Sequence, residues 1–200
     1  MVSHNDRLRE IQKYSGIPGK QIGAYNFKNY CMAAPRQVAL KELLLQTPIH
    51  ERRGYLDVSC GRGEGLALAS VMRYWPVRGT EAVDFLLDST SKVKAILPDL
   101  PYGDNLFDTV VCFDVMEHIP FDDWEASINS MARVCSRRLI LCISNTEDHV
   151  GPQLGTTLHI TRLAYGVIDG LLSKWLPEYR VQWLDKMGTE DAQFWDCVLA

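Results

Sequence analysis

"YLDVSCGRGEG", residues 55–65, is a short apolar strand that runs directly into glycines at positions 61, 63 and 65. A lone carboxylate, Asp57, stands inside the apolar run. Glycine serves where backbone needs positive φ or where another group must approach the chain closely. Just after a strand, such a loop opens a helix whose free N–H groups favour an anionic ligand group. A tight strand–helix turn and a ligand cradle both remain open at this point. Two nucleotide fingerprints fail here. The dinucleotide motif needs G-x-G-x-x-G, but position 66 is Leu; the phosphate loop needs Lys-Ser/Thr after its last glycine, and Leu66-Ala67 follows.

Outward from this stretch, apolar runs of strand length alternate with helical ones. The strands are 55–60, 76–83, 92–97, 109–115 and 138–144. "EGLALASVMRYW" and "DWEASINSMARVCS" lie between them as helices. In the second helix Trp124, Ile128, Met131 and Cys135 recur every three to four residues, the spacing of one buried stripe. Alternation of this kind with nearly continuous apolar strands predicts a parallel sheet covered on both faces. "LHITRLAYGVIDGLLSKWL" (158–176) reads as a further helix. Two final strands, in "EYRVQWLDKMG" and "FWDCVLA", have too short a link for a parallel crossover and must be antiparallel. The expected fold is α/β: a seven-stranded, mostly parallel, doubly wound sheet with a reversed last strand. Residues 1–53 read as a helical N-terminal cap on the core of residues 54–200. Within the cap, "PRQVALKELLLQTP" offers Val38, Leu40, Leu43, Leu44 and Leu45 as an apolar face.

The 200 residues suffice for one domain with its own core. At 46% hydrophobic and 23% charged, the composition is that of an ordinary globular protein. No apolar run approaches the roughly 20 residues of a membrane span, and the N-terminus is too polar for a signal peptide. Six cysteines without a CxxC pair read as small buried hydrophobes, Cys60, Cys112, Cys142 and Cys197 above all, and predict a reducing, cytoplasmic setting. The net charge of −4 argues against generic nucleic-acid binding. It is unevenly spread: residues 1–53 carry nine Lys/Arg against four Asp/Glu, and residues 54–200 carry twelve against twenty-one.

Acidic residues at strand ends sharpen the reading. Glu81 ends the second strand, where a carboxylate can accept hydrogen bonds from both hydroxyls of a ribose. "DLPYGDNLFDTVVCFDVMEHIP" carries Asp108 into the fourth strand and Asp114 out of it. With these residues the chain resembles a class I S-adenosylmethionine-dependent methyltransferase of the small-acceptor, type 11-like kind. The family's hydrophobic-Asp-x-Gly-Cys-Gly-x-Gly motif matches "LDVSCGRG", its "LP[FY]-x-D-x-x-FD" segment matches "LPYGDNLFD", and its "V-L/M-E-H-I" matches "VMEHI". The three matches cover residues 54–120 in the right order, with Ser59 standing where the family usually has its first glycine.

The resemblance implies a single methyltransferase domain over residues 1–200 and S-adenosyl-L-methionine as cofactor. Asp57 is then expected to order the glycine loop or meet the cofactor's ammonium. Ser59, Cys60, Gly61 and Gly63 would lie along the methionine part, Glu81 on the ribose, and Asp114 and Val115 at the mouth of the acceptor pocket. The acid or amide that usually meets the adenine amino group is missing near Ile96 and Leu97, so backbone groups there, or Asp99 with its neighbour Leu100, are expected to take its place. Glu81 reads as a pocket-surface residue whose removal leaves stability nearly untouched. The second helix, between Glu81 and Leu100, must be trimmed.

Methyl transfer from a sulfonium needs a base only if the nucleophile arrives protonated and weakly acidic. His149, in the loop "SNTEDHVGPQLGTT", is the leading candidate. His159, read as opening a helix, follows, and then His118, whose pairing with Glu117 reads as packing. Tyr25, Phe27 and Tyr30 are candidates for a lid. No metal is expected, since "SNTEDH" offers only a weak suggestion of a ligand set. The tetrapeptide of amino-methylating DNA enzymes and the Pro-Cys of cytosine-C5 enzymes are both absent. The expected partner is a small-molecule or sugar-like acceptor accepting at O or N, with the enzyme a monomer or homodimer away from membranes. The alternatives are a methyltransferase of the same fold recruited to RNA or protein by its basic N-terminal segment, and a non-catalytic cofactor-binding module.

Overall fold

The computed structural model describes residues 3–14, 31–189 and 191–200. Tyr25, Phe27 and Tyr30, the lid candidates, lie outside these residues. Two N-terminal helices, α1 (His4–Gln12) and α2 (Ala34–Leu45), precede an alternating core. The core runs β1 (Tyr55–Val58), α3 (Glu64–Val71), β2 (Val77–Glu81), β3 (Lys92–Lys94), β4 (Phe107–Phe113), α4 (Trp124–Val134), β5 (Cys135–Ser144), α5 (Gly151–Leu154), α6 (Tyr165–Trp175), β6 (Tyr179–Trp183) and β7 (Ala192–Leu199). The seven strands form one sheet in the order β3-β2-β1-β4-β5-β7-β6. β3 through β5 are parallel, and β7 runs antiparallel to both of its neighbours. The strand order reverses beside β1, and a ligand crevice is expected there at the carboxyl ends of β1 and β4.

Period-two side-chain alternation divides the core into two layers. Leu56 and Val58 of β1, Val110 and Cys112 of β4, and Leu139 and Leu141 of β5 face α4 and α6, where Trp124, Ile128, Met131, Ile168 and Leu172 are buried. Tyr55, Val77, Val111, Phe113 and Ile140 face the other way, onto α2 and α3. The buried stripe of α2 is Ala39, Leu40, Leu43 and Leu44, while Val38 and Leu45 are 56% and 54% exposed. Positions 40, 43 and 44 follow the i, i+3, i+4 rule; 38 and 45 sit nearly half a turn away, on the opposite face. Each fully buried Leu contributes roughly 1.5–3 kcal/mol to docking α2 on the sheet.

Several boundaries differ from the sequence expectation, each for a local reason. β1 stops at Val58 because Ser59 takes φ 57°. β4 stops at Phe113 because Asp114 takes φ 53°. β3 is only three residues long, and the trimmed segment before it contains a single short turn, Asp84–Leu86. α4 passes into β5 without a loop, at Cys135. The helix expected over 158–176 begins only at Tyr165. Backbone groups ahead of it bond to other loops instead: Leu158 N–H to the Asp148 carboxylate, and Thr161 N–H to the Glu117 carbonyl. These tertiary partners replace the i→i−4 ladder, and His159 therefore does not open a helix.

Candidate functional site

The loop after β1 is built from unusual backbone. Ser59, Gly61 and Gly63 all take positive φ, at 57°, 55° and 93°. Ser59 in this region costs roughly 1–2 kcal/mol, and neighbouring strands hold it in place. Thr80 Oγ1 accepts the Ser59 N–H at 3.2 Å, and the Thr80 carbonyl accepts that of Cys60 at 2.9 Å. Glu81 Oε2 accepts the Gly61 N–H at 2.9 Å, and Lys92 Nζ donates to the Gly61 carbonyl at 2.9 Å.

Gly65 has a different reason. A Cβ there would lie 2.1 Å from Asp57 Oδ2 and 3.0 Å from Tyr55 Oη. The side chain is excluded at Gly65 by the protein's own carboxylate, because α3 lies directly on Asp57. That carboxylate is 2% exposed, and its Oδ2 is buried with no hydrogen-bond partner. Burial, reinforced by the charges of Glu81 and Glu64 and opposed by Lys92, pushes its pKa up to about 8. An orphaned buried carboxylate oxygen costs free energy unless a cation or a donor meets it.

Glu81 is also buried, at 4% exposed. Its pKa is raised by burial against the lowering effect of the backbone N–H groups of Ala82, Val83 and Gly61. The carboxylate thus holds the loop as well as facing the cavity, which corrects the expectation of a pocket-surface residue. Glu81→Ala should lower stability by about 1–3 kcal/mol, since backbone donors lose their acceptor. Cofactor affinity should fall in the same variant. Thermal unfolding unchanged from that of the native protein would refute the loop-anchoring role.

A cavity of ≈ 670 Å³ opens along the carboxyl ends of β1, β2, β4 and β5. Asp57, Ser59, Cys60, Gly61 and Glu81 line one end, with Val83, Phe85, Leu86, Ile96 and Leu97 as an apolar strip. Asp114, Val115, Glu117, His118, His149 and His159 line the other end. Residues of the N-terminal segment, among them Arg7, Tyr14, Met32 and Arg36, complete the lining. Asp99 and Leu100 are not brought to it. The Asp99 side chain is 74% exposed and ion-paired with Arg7, and Leu100 packs into the core. Gly63 turns the chain into α3 rather than lining the cavity, and Asp108 bonds Arg137.

Arg36 is a site residue that the sequence reading did not pick out. It clamps Asp114 through Nε at 2.6 Å and Nη2 at 3.0 Å, a bidentate pair spanning 78 residues. Arg7 clamps Asp123 in the same manner, at 2.8 and 3.0 Å. The only sequence signal was the excess of positive charge in residues 1–53.

The three histidines differ in surroundings. His118 Nδ1 lies 2.9 Å from the Leu158 carbonyl, and His159 Nδ1 lies 3.0 Å from the Thr146 carbonyl. A carbonyl only accepts, so each Nδ1 carries a proton, and in the neutral ring the lone pair is on Nε2. Burial drives the His118 pKa down to about 4, with the Leu158 carbonyl opposing and His159 adding to the drop. Glu117 is 1% exposed and is raised by burial and by the charge of Asp114. His149 is exposed, on the loop organised by Asp148, whose carboxylate takes the N–H groups of Gly151 at 2.6 Å and Val150 at 3.1 Å.

Comparison with known proteins gives a consistent picture. A family model described as a methyltransferase domain matches residues 32–188. No curated protein matches the chain. Among solved structures, Burkholderia thailandensis 1,6-didemethyltoxoflavin-N1-methyltransferase, with bound 1,6-didemethyltoxoflavin and S-adenosylhomocysteine, is similar at TM-score 0.69 and 12% identity, over 100% of this chain and 92% of that one. Magnesium protoporphyrin IX methyltransferase from Synechocystis, with bound SAM, is similar at TM-score 0.60 and 18% identity, over 100% and 92% of the two chains. A chain from a complex containing the Haloferax volcanii Trm112 methyltransferase activator gives TM-score 0.62 at 15% identity, over 82% of this chain and 90% of that one. The family match spans most of the chain and falls on the glycine loop, the acidic strand ends and six of the seven strands, with the reversed β7 following just beyond it: this protein belongs to the methyltransferase-domain family, on the class I fold of S-adenosylmethionine-dependent methyltransferases.

Proposed function

We propose that the chain transfers a methyl group from S-adenosylmethionine to an oxygen or nitrogen of a small-molecule or sugar-like acceptor. The observation that carries this reading is the single cavity that joins the orphaned Asp57 carboxylate to the histidine-lined end, with the N-terminal segment as one wall. Its ≈ 670 Å³ is within the range of small-ligand sites, roughly 300–1,000 Å³.

The residues present fit the cofactor. Asp57 offers an unpartnered buried carboxylate oxygen to an ammonium. Glu81 already takes the Ala82 and Val83 N–H groups on Oε1 and the Gly61 N–H on Oε2, which leaves one acceptor site, on Oε2, for a ribose hydroxyl. The strip of Val83, Phe85, Leu86, Ile96 and Leu97 suits a flat aromatic base. The cofactor supplies a methyl group already activated on a sulfonium. The chain's own contribution is to align the acceptor and exclude water. Arg36 and Asp114 form part of the wall at the acceptor end. His149, on its exposed loop beside that end, is the proton acceptor for a nucleophile that arrives protonated.

A macromolecular acceptor recruited by the basic N-terminal segment has less support. Arg7, Arg9, Lys13 and Arg36 are all engaged in ion pairs with this chain's own carboxylates. The toxoflavin and protoporphyrin enzymes also act on small molecules by their names. The test is calorimetric titration with S-adenosylmethionine, S-adenosylhomocysteine and NAD. Micromolar binding of the first two without the third is expected, and would justify an acceptor screen. Failure of both to bind would overturn the reading.

A further inference from the structure

At the acceptor end of the cavity, Glu117, His118 and His159 each bring one ligand-capable atom within 4.8 Å of the others. From this geometry we propose that the three side chains bind a divalent first-row transition-metal ion, in the Mn2+ to Zn2+ range, with coordination positions left open to the cavity.

Independent observations point to a ligand at that place. Glu117 is 1% exposed, and its Oε2 is buried with no hydrogen-bond partner. Neither histidine supplies that partner, although both line the same cavity. The two rings are held ready for an ion: each donates Nδ1–H to a backbone carbonyl, Leu158 for His118 and Thr146 for His159. This leaves Nε2 of both as the donor, and a carbonyl on the opposite ring nitrogen is the usual way a protein orients a metal-binding imidazole. The rings meet edge to face, with centroids 4.9 Å apart.

The donor set selects the ion class. Two imidazoles and one carboxylate suit first-row transition ions, whereas Mg2+ and Ca2+ prefer oxygen ligands throughout. Metal–ligand bonds of about 2.0–2.2 Å place two ligands at most ~4.4 Å apart across an ion, so small side-chain rotations close the site. Arg36, whose charge reaches Glu117, is itself held in a bidentate pair with Asp114. The set departs from the sequence expectation of no metal, since His159 lies 41 residues beyond His118 and only the fold brings the two together.

Three protein ligands leave room for an oxygen of the acceptor. This consequence rests on the methyltransferase reading above. A hydroxyl bound there would become more acidic. Its proton would pass to His149 or water. The oxygen would then form a bond to the methyl carbon as the carbon–sulfur bond breaks, with the electron pair remaining on sulfur.

The test titrates the full, EDTA-stripped chain with Co2+, Zn2+, Mn2+ and Mg2+, and separately with S-adenosylhomocysteine. One Co2+ per chain is expected, with visible d–d absorption and micromolar affinity, and with Mg2+ about 100-fold weaker. Glu117→Gln and His159→Gln should each weaken Co2+ binding at least about tenfold while leaving S-adenosylhomocysteine affinity within about twofold. Absence of Co2+ binding up to millimolar concentration would overturn the site, as would equal affinity in both variants. Should Glu117→Gln fail to fold, His159→Gln carries the comparison, because that ring is only partly buried. S-adenosylhomocysteine binding without ion binding overturns the ion site alone. Ion binding without S-adenosylhomocysteine binding supports the ion site and overturns the proposed function.

Discussion

Asp57→Asn should weaken S-adenosylmethionine binding by about 10–100-fold, since a hydrogen bond to a charged group contributes roughly 1.5–3 kcal/mol. The reason is the orphaned Oδ2, held at the cavity wall beneath α3. With a pKa of about 8, Asp57 is protonated in the free protein at neutral pH, and meeting an ammonium requires it to ionise. Binding at pH 7 should therefore release close to one proton, measurable by calorimetry in two buffers of different ionisation enthalpy. Affinity should rise by up to tenfold per pH unit towards pH 8. There it levels and then falls, because the ligand's own α-amino group titrates near pH 8. The Asn variant should keep only the falling limb. An Asn variant with native affinity and native pH slope would show that Asp57 merely orders the loop.

The same group makes a stability prediction whose sign can be worked out. The folded-state pKa is raised from 3.8 to about 8, so the folded protein holds a proton that the unfolded chain gives up. That contribution is complete below about pH 4 and is lost as pH rises through 8. In Asp57→Asn this loss disappears, so by thermal unfolding the variant should gain on the native protein from about pH 4 up to about pH 8 and no further above it.

Asp196→Ala should destabilise the fold by about 3–5 kcal/mol, the usual cost of removing one partner of a buried ion pair. Arg138 of β5 meets Asp196 of β7 through Nε at 2.7 Å and Nη2 at 2.8 Å. The same guanidinium donates to the Leu43 carbonyl at 2.5 Å and to Gln46 Oε1 at 2.8 Å, which ties α2 to the sheet. Without Asp196 a charge remains buried under α2, the helix that carries Arg36 to Asp114. At roughly 2–4 °C per kcal/mol for a chain of this size, Tm should fall by about 10 °C. Replacing both members, as Arg138→Met with Asp196→Leu, should recover most of the loss. A Tm within about 2 °C of native for Asp196→Ala would mean that solvent reaches the pair.

Local sequence carried far into the fold because its signals are short-range. The apolar runs of β1, β4 and β5, the stripe of α4 and the glycine loop are each set by neighbours within a few residues, where periodicity and turn chemistry act. Asp57, Glu81 and Asp114 could be placed at strand ends for the same reason. Their surroundings could not. That Gly65 yields to Asp57, that Glu81 fastens the Gly61 amide, and that Ser59 tolerates positive φ all depend on α3 and β2 lying against the loop. His159 was misread as a helix opener because its segment bonds to other loops, which local propensity does not register. The adenine contact assigned to Asp99 was displaced by an ion pair with Arg7, 92 residues earlier.

The sequence by itself determined the strand–helix order, the glycine loop after β1 and the acidic strand ends, since these rest on periodicity and on residue types at close spacing. Tertiary structure alone decided the Arg36–Asp114 clamp, the orphaned oxygens of Asp57 and Glu117, and the meeting of Glu117 and His118 with His159. Those depend on which strand ends and loops the sheet places side by side, and a charge or lone pair acquires its chemistry only from the groups that surround it there.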